Sequence, residues 1–205
     1  MPADARAAIE ALARENETLR RDLAAARSRL VYFEKLADHD SLVPVYNRRA
    51  FMRELRRTIS YGARYGTVNS VLYFDINGMK GINDTLGHAA GDAALMRIAT
   101  VFQANLRDSD TIGRLGGDEF GVILVNADGE RAQKKAATLA AAVAAEPLRW
   151  EGWSIPLEAA FGTHRISDED TAMSALYAAD QTMYRQKEDL RAQRRTRRGT
   201  GPEGR

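Results

Sequence analysis

The 205-residue chain has no cysteine, only five prolines and no long apolar run. The lack of cysteine excludes disulfides and thiolate metal sites, and it fits a reducing compartment. No stretch approaches the apolar length of a membrane span, and the N-terminus alternates charge where a signal peptide would be apolar. An excess of one charge is also lacking, because the formal net charge is only +2, so no nucleic-acid partner is expected. We therefore expect a cytoplasmic protein without a membrane span.

Residues 1–37 contain no glycine and no proline after Pro2, and their apolar residues recur every three or four positions. This spacing is typical of a coiled-coil seam, and Asn16 lies at a seam position where a buried Asn pair favours a parallel dimer. We predict a homodimer formed through this helix, which also offers a surface to a regulatory protein. A single amphipathic helix lying on the domain is the alternative. The seam residues are Ile9, Asn16, Leu23 and Leu30 at one core position, and Leu12, Leu19, Ala26 and Phe33 at the other.

The order of elements in residues 38–191 predicts the fold class. Pro44 interrupts the first helical pattern, and Asn47 is placed to cap the next helix. The elements that follow have the split β-α-β order of a ferredoxin-like α+β sandwich with a central antiparallel sheet. The basic tail, residues 192–205, has no core pattern and is expected to be disordered. The predicted elements are a helix at 48–63, a strand at 70–76, a helix at 88–106, a hairpin around Gly116 and Gly117, a helix at 130–145, one bent strand or a strand pair at 153–166, and a helix at 171–193.

Three acidic side chains are expected to lie near one another in this fold. Asp75 comes at the end of the first predicted strand, and Asp118 and Glu119 follow the two glycines of the predicted hairpin. Adjacent carboxylates repel each other unless a cation or a proton lies between them. Oxygen ligands of this kind hold hard cations, and Mg²⁺ typically takes a few carboxylates together with substrate phosphates. A solvated turn that happens to be acidic is the alternative.

The segment that follows Asp75 carries groups suited to a nucleotide. Backbone N–H groups of the turn around Gly78 and Gly81 can cradle a phosphate, with Lys80 as a point charge. Asn83 and Asp92 are an amide and a carboxylate, which match the donors and acceptors on a guanine edge. Together with the three acids, these residues indicate Mg²⁺-dependent nucleotidyl or phosphoryl transfer.

Three separated motifs resemble the GGDEF family, the diguanylate cyclases. They are RLGGDEF at 114–120, FDINGMKGINDTLGHAAGDAAL at 74–95 and AADQTMYRQK at 178–187, and the resemblance covers roughly residues 40–191. It implies a cyclase-type GGDEF domain that condenses two GTP molecules into cyclic di-GMP and pyrophosphate with Mg²⁺ (or Mn²⁺) as cofactor. It also implies an active site assembled where two such domains face each other.

The resemblance assigns roles residue by residue. It implies metal binding by Asp75, the carbonyl of Ile76, Asp118 and Glu119, and catalysis by Asp118, Glu119 and Lys80. It implies GTP binding by Asn83, Asp92, Lys80, Lys187 and Arg191, and an inhibitory site for the product at Arg107 and Asp110.

Some positions depart from the family pattern. Asn77 replaces a second acid and Met79 replaces a phenylalanine, while Asp40 and Asn47 are kept in a divergent first motif. None of these changes removes an implied metal, base or phosphate contact, so we expect an effect on rate rather than on reaction type. Two alternatives are a catalytically silent cyclic di-GMP receptor and a scaffold that acts through its coiled coil. Intact Asp118 and Glu119 argue against the first, and the cluster of acids argues against the second.

Overall fold

The computed structural model describes the backbone of residues 3–199 and the side chains of residues 12–27, 29 and 37–188. The chain divides into two compact units, with the boundary between Asp38 and His39. The first unit contains helix α1 (Ala3–Asp38), as its propensity and lack of glycine predict. Leu12, Leu19 and Leu23 are exposed on it, at 64%, 60% and 52%. Of the other predicted seam residues, Asn16 and Ala26 are also exposed, whereas the side chains of Ile9, Leu30 and Phe33 lie outside the described ones.

The second unit is built around a four-stranded antiparallel sheet. Its strand order is β2-β3-β1-β6, which is the ferredoxin-like arrangement and confirms the predicted fold class. A separate two-stranded hairpin consists of β4 and β5. The elements are α2 (Arg48–Tyr65), β1 (Ser70–Asn77), α3 (Met79–Leu86), α4 (His88–Ala104), β2 (Thr111–Gly116), β3 (Glu119–Leu124), α5 (Gly129–Ala145), β4 (Leu148–Trp150), β5 (Trp153–Ile155), β6 (Glu158–Arg165) and α6 (Ala172–Gly199).

Strand β1 is buried on both faces, and its alternation decides where its last side chains point. Leu72 and Phe74 belong to the core that contains α4 and α5 residues, whereas Val71 and Tyr73 belong to the core that contains α2 and α6 residues. Asp75 has the parity of Tyr73 and therefore faces the second of these cores at the end of the strand. Burial of a side chain such as Phe74, which is fully buried, stabilises the fold by about 1.5–3 kcal/mol.

Helix α2 has a capped N-terminus and packs on the sheet through a close aromatic contact. The Asn47 side chain accepts a hydrogen bond from the Ala50 N–H at 3.0 Å, which confirms the predicted cap. The ring of Phe51 lies directly over the backbone of Gly113 and Gly121. A Cβ at these two glycines would lie 2.8 Å and 2.5 Å from Phe51 atoms, so only glycine fits there.

Three sequence expectations need correction. The glycine-bearing turn expected after Asp75 is helix α3, which begins after Gly78 in a left-handed conformation (φ +79°) and contains Gly81. The segment 153–166 is neither one bent strand nor an internal pair, because β5 pairs with β4 and β6 pairs with β1. Residues 192–199 of the tail are helical in α6, since arginine, alanine and glutamine favour a helix. Residues 200–205 lie outside the described part.

None of the helices in the described part of the chain has both the length and the apolar composition needed to cross a membrane.

Candidate active site

The strand ends bring the predicted metal-binding residues together. Asp75 on β1 pairs in register with Glu119 on β3, so their side chains emerge on the same face. The Ile76 N–H donates to the Asp118 carbonyl at 3.0 Å, which ties the turn to β1. Asp75, Ile76, Asp118 and Glu119 therefore share one end of the sheet.

Lys187 of α6 reaches this end of the sheet. Its Nζ donates to Asp75 Oδ1 at 2.5 Å, with the Lys187 and Asp75 side chains only 18% and 26% exposed. The partial burial makes the pair stronger than a surface ion pair, because water screens the charges less. Arg191 lies on α6, one turn further on, and its side chain is outside the described ones.

Glu119 is held by a buried tyrosine. Tyr73 is only 7% exposed, and burial is the main cause that raises the pKa of its phenol. A hydrogen bond with the Glu119 carboxylate and the charge of that carboxylate raise the pKa of Tyr73 further. The phenol therefore stays protonated and donates to Glu119, which orients this carboxylate.

The oxygen ligands at this end of the sheet suit a cation that the substrate also binds. Among the described residues, no group of three or more acidic or histidine side chains is close enough to hold a metal alone. Mg²⁺ is usually bound by one or two carboxylates plus substrate phosphates, and Asp75 and Asp118 with the Ile76 carbonyl offer that number of oxygens. The residues therefore fit Mg²⁺ carried with a nucleotide and do not form a closed protein cage.

A pocket of about 430 Å³ adjoins the acidic turn. Asn83 is held in it by close packing of α3 on α4, where a Cβ at Gly91 would lie 2.0 Å from the Asn83 side-chain oxygen. Glycine at position 91 is therefore required for this placement of Asn83. The residues around the pocket are Met79, Lys80, Asn83, Asp84, His88, Gly91, Asp92, Leu95, Arg114, Gly117 and Asp118.

Sequence reasoning gave no role to Arg114, which lines this pocket. Its guanidinium donates to the Gly117 carbonyl from two nitrogens, at 3.1 Å and 2.8 Å, and to Asp40 Oδ1 at 2.9 Å. The sequence feature that could have indicated this role is the position of Arg114, three residues before the second glycine of the turn. Its partner Asp40 is 74 residues away in the chain, which no local pattern reveals.

The predicted product-binding pair lies in a second pocket of about 370 Å³. The Arg107 N–H donates to Asp110 Oδ2 at 3.1 Å and the Asp110 N–H donates to the Arg107 carbonyl at 2.9 Å, which closes a tight turn. Three basic residues of α5 line the same pocket, namely Arg131, Lys134 and Lys135. The pocket is therefore strongly cationic, as an anionic ligand requires.

Sequence comparison identifies relatives of the second unit. The family model "Diguanylate cyclase, GGDEF domain" matches residues 37–193. The diguanylate cyclase TpbB of Pseudomonas aeruginosa (strain UCBPP-PA14) is 37% identical over 161 residues, which is 78% of this chain. The chain spans only 37% of the length of that relative.

Solved structures share the fold. The coiled coil and GGDEF domain of DgcB from Caulobacter crescentus, in complex with c-di-GMP, aligns with a TM-score of 0.79 at 23% identity, over 87% of this chain and 95% of that one. The diguanylate cyclase SiaD of Pseudomonas aeruginosa, in complex with its activator SiaC, aligns with a TM-score of 0.71 at 26% identity, over 91% and 76%.

Proposed function

Since the chain belongs to the diguanylate cyclase GGDEF-domain family, we propose that it condenses two GTP molecules into cyclic di-GMP, with release of pyrophosphate. The observation that carries the proposal is that the acidic end of the sheet adjoins the pocket. Asp75, Asp118 and Glu119 lie at the same end of the sheet, and Asp118 also lines the pocket that contains Asn83 and Asp92. Groups for phosphate chemistry and groups for base recognition are therefore adjacent.

Recognition of GTP is assigned to the pocket residues. The Asn83 amide and the Asp92 carboxylate read the guanine edge, and the close packing at Gly91 supports a fixed orientation of Asn83. Lys80 at the start of α3 and Lys187 of α6 neutralise the triphosphate, together with Arg191. A site built to hydrogen-bond one base rejects another strongly, because its own polar groups are then left unpaired.

The metal site is assigned to Asp75, the Ile76 carbonyl and Asp118, with Glu119 beside them. A bound Mg²⁺ or Mn²⁺ would neutralise the triphosphate charge and orient the reacting phosphate. The Tyr73 hydrogen bond orients Glu119 for this purpose. Lys187, which bonds to Asp75, adds positive charge on the side of α6.

The bond changes are those of a nucleotidyl transfer. The 3′-hydroxyl oxygen of one GTP attacks the α-phosphorus of the other, and Asp118 helps to remove the hydroxyl proton. A new P–O bond forms while the bond to the oxygen that bridges to the β-phosphate breaks, so pyrophosphate leaves. Repeating the step in the opposite direction closes the ring and releases a second pyrophosphate.

Two domains are needed for this reaction, since each is proposed to hold one GTP. A homodimer through α1 would supply the second domain, and the exposed Leu12, Leu19 and Leu23 are the apolar surface for it. The helix would also accept a regulatory protein, and the relative SiaD is in complex with an activator.

Product inhibition is assigned to the pocket around Arg107 and Asp110. Its charge favours binding of cyclic di-GMP, because Arg131, Lys134 and Lys135 face the same space as Arg107. The arginine fork can bind a phosphate and stack on a purine. The same pocket supports a second candidate function, a receptor for cyclic di-GMP that does not synthesise it.

A nucleotide assay decides between the two functions. Purified protein is incubated with GTP and Mg²⁺, with ATP in a parallel reaction, and the products are separated by chromatography. We expect cyclic di-GMP from GTP and no turnover of ATP. Binding of added cyclic di-GMP without synthesis from GTP would establish the receptor instead, and equal turnover of both nucleotides would contradict the assigned guanine contacts.

A further inference from the structure

The turn that carries Asp118 is held from outside by an arginine clamp, which consists of Arg114, Asp40 and the Gly117 carbonyl. Arg114 donates twice to the Gly117 carbonyl, at 3.1 Å and 2.8 Å, and once to Asp40 at 2.9 Å. The side chains of Arg114 and Asp40 are only 16% and 18% exposed. Gly117 is bonded directly to Asp118, so the clamp holds the peptide unit next to the proposed catalytic carboxylate.

Asp40 is itself anchored to the core. Its Oδ1 accepts from the N–H groups of Leu42 and Val43 at 3.0 Å and 3.1 Å, and Val43 is fully buried. Partial burial alone would raise the pKa of Asp40, but these N–H groups and the Arg114 guanidinium outweigh it and lower the pKa. Asp40 is therefore an ionised, rigidly held partner for Arg114.

Residues 40–48 also hold the hairpin by hydrogen bonds to its backbone. The Arg114 N–H donates to the Tyr46 carbonyl at 2.7 Å, and Arg48 Nη1 donates to the Leu115 carbonyl at 3.0 Å. Carbonyls on both sides of Gly116 are thus held by arginines. The position of the turn depends on these contacts because Gly116 and Gly117 have no side chains that could fix it by packing.

We propose that Asp40 is a positioning residue for the condensation, acting through Arg114 and the Gly117 carbonyl to place Asp118. The proposal rests on the proposed function. Asp40 orients the guanidinium, the guanidinium sets the Gly117 peptide, and the peptide sets the direction in which Asp118 leaves the turn. A displacement of about 1 Å at a reacting group can lower a rate about a hundredfold, so loss of the clamp acts on turnover.

The test uses the full chain with an Asp40→Asn substitution. The amide oxygen of asparagine still accepts from Leu42 and Val43, but the charge that orients Arg114 is lost. We expect kcat to fall by about tenfold or more while KM for GTP changes by less than about threefold. The matched control is Asp128→Asn. Like Asp40, Asp128 accepts a hydrogen bond from a backbone N–H and lies beside an arginine, but it caps α5 and does not line the pocket that contains Asn83.

Two further measurements separate positioning from stability. Arg114→Gln and the Asp40→Asn, Arg114→Gln double variant should lose about the same activity as Asp40→Asn, because the residues act as one unit. Amide hydrogen exchange of residues 115–119 should rise in Asp40→Asn and stay unchanged in Asp128→Asn. Unfolding midpoints, measured alongside, show whether the lost activity merely follows the unfolded fraction.

The outcomes distinguish this proposal from the function on which it rests. If the wild-type chain makes cyclic di-GMP and Asp40→Asn keeps full kcat, or loses only what its unfolded fraction explains, the positioning role is wrong while the function stands. If the wild-type chain makes no cyclic di-GMP, both are overturned. A lower kcat with a folded protein and faster exchange only at the turn supports the role.

Discussion

At the scale of single residues, Asp75 lies beside a positive charge of the protein itself. Lys187 Nζ lies 2.5 Å from Asp75 Oδ1, and both side chains are largely shielded from water. A carboxylate that is paired in this way has a fixed orientation in the free protein. Removal of the Asp75 carboxylate would leave the partly buried Lys187 ammonium without this acceptor. Substitutions at Asp75 therefore test both its ion pair with Lys187 and its proposed role in metal binding.

Asp75→Ala and Asp118→Ala should abolish turnover and leave the fold intact. Both carboxylates lie at the rim of the sheet, outside the two cores, and metal binding there is expected to stabilise the transition state by several kcal/mol. We expect a loss of about a thousandfold in kcat, with circular dichroism unchanged. Glu158→Ala is the control, since Glu158 is an exposed acid at the corresponding end of β6. Near-normal Mg²⁺-dependent activity in both variants would refute the metal assignment.

Arg107→Ala should weaken binding of cyclic di-GMP by at least about tenfold, because it removes the planar fork from the second pocket. Reaction progress curves should then stay linear for longer, as product inhibition is relieved. Calorimetry measures the affinity, and Arg149→Ala provides a control at an exposed arginine of β4. Unchanged affinity and inhibition would mean that residues 107–110 form only a surface turn.

The candidate site residues could largely be predicted from the sequence because they stand at recognisable places. Asp75 ends an apolar strand, Asp118 and Glu119 follow two glycines, and Asn83 and Asp92 lie in the polar segment between. Their roles still await the experiments above. The contacts that hold them could not be predicted, since Arg114 and Asp40 meet only after β2 and the segment before α2 come together.

At the scale of elements, segments with a clear hydrophobic period were predictable, whereas segments whose residues disfavour the structure they adopt were not. The strand at 70–76 and the helix at 130–145 are found within one residue as β1 and α5, because periodicity and caps agree there. Helix α3 was missed because Gly78 and Gly81 disfavour a helix. The β4–β5 hairpin was missed because its turn uses Glu151 at φ +46°, whereas sequence rules look for asparagine or aspartate before the glycine.

The contact between α6 and β6 should be intolerant of a single methyl group. A Cβ at Gly162 would lie 2.1 Å from the Ala179 carbonyl oxygen and 2.3 Å from the Met183 nitrogen, which are both backbone atoms of α6. Gly162→Ala should therefore lower the free energy of unfolding by about 3 kcal/mol or more. In Gly129→Ala the new methyl group meets nothing within 4 Å, so this control should stay near wild type in a urea titration. Equal midpoints would show that α6 shifts at little cost.

The start of α6 should make stability depend on pH through Asp170. Partial burial raises the pKa of Asp170, but hydrogen bonds from His164, Ser167 and Ser174 lower it to about 2. Since the pKa is lower in the folded state than in the unfolded state, this stabilisation is present above about pH 4 and is lost as the pH falls towards about 2. The full effect is about 2 kcal/mol.

Urea titrations of Asp170→Asn at several pH values test this expectation. The variant should be less stable than wild type near neutral pH, and the gap should close as the solution approaches about pH 2. Asp168→Asn is the matched control, because Asp168 is a neighbouring exposed acid. A gap that stays constant with pH would mean that Asp170 contributes only neutral hydrogen bonds.

At the scale of the whole molecule, activity should depend on how two copies are brought together. Deletion of residues 1–37 removes all of α1 except its last residue, Asp38. Both cores of the second unit stay complete. We expect a folded, largely monomeric protein whose specific activity rises steeply with its concentration. A tether through α1 would instead keep the domains at an effective concentration of about millimolar.

Light scattering and rates measured over a range of protein concentrations test the role of α1. Leu23→Lys in the full chain should behave like the deletion, because it places a charge on the predicted seam. Arg20→Lys keeps the charge at a position outside the seam and serves as the control. Full activity per subunit in a monomeric truncated protein at nanomolar concentration would exclude dimerisation through α1 as a requirement.

The bridge between Tyr46 and β2 also bears on how copies of the protein can associate. Tyr46 donates to the Ile112 carbonyl and accepts from the Arg114 N–H, so it occupies hydrogen-bonding groups along the outer side of β2. An edge strand with these groups free is a template for pairing with a strand of another molecule. Here that template is blocked by a segment of the same chain. Growth of the sheet from molecule to molecule through β2, the first step towards edge-to-edge aggregation, is therefore disfavoured at the hairpin that carries Asp118.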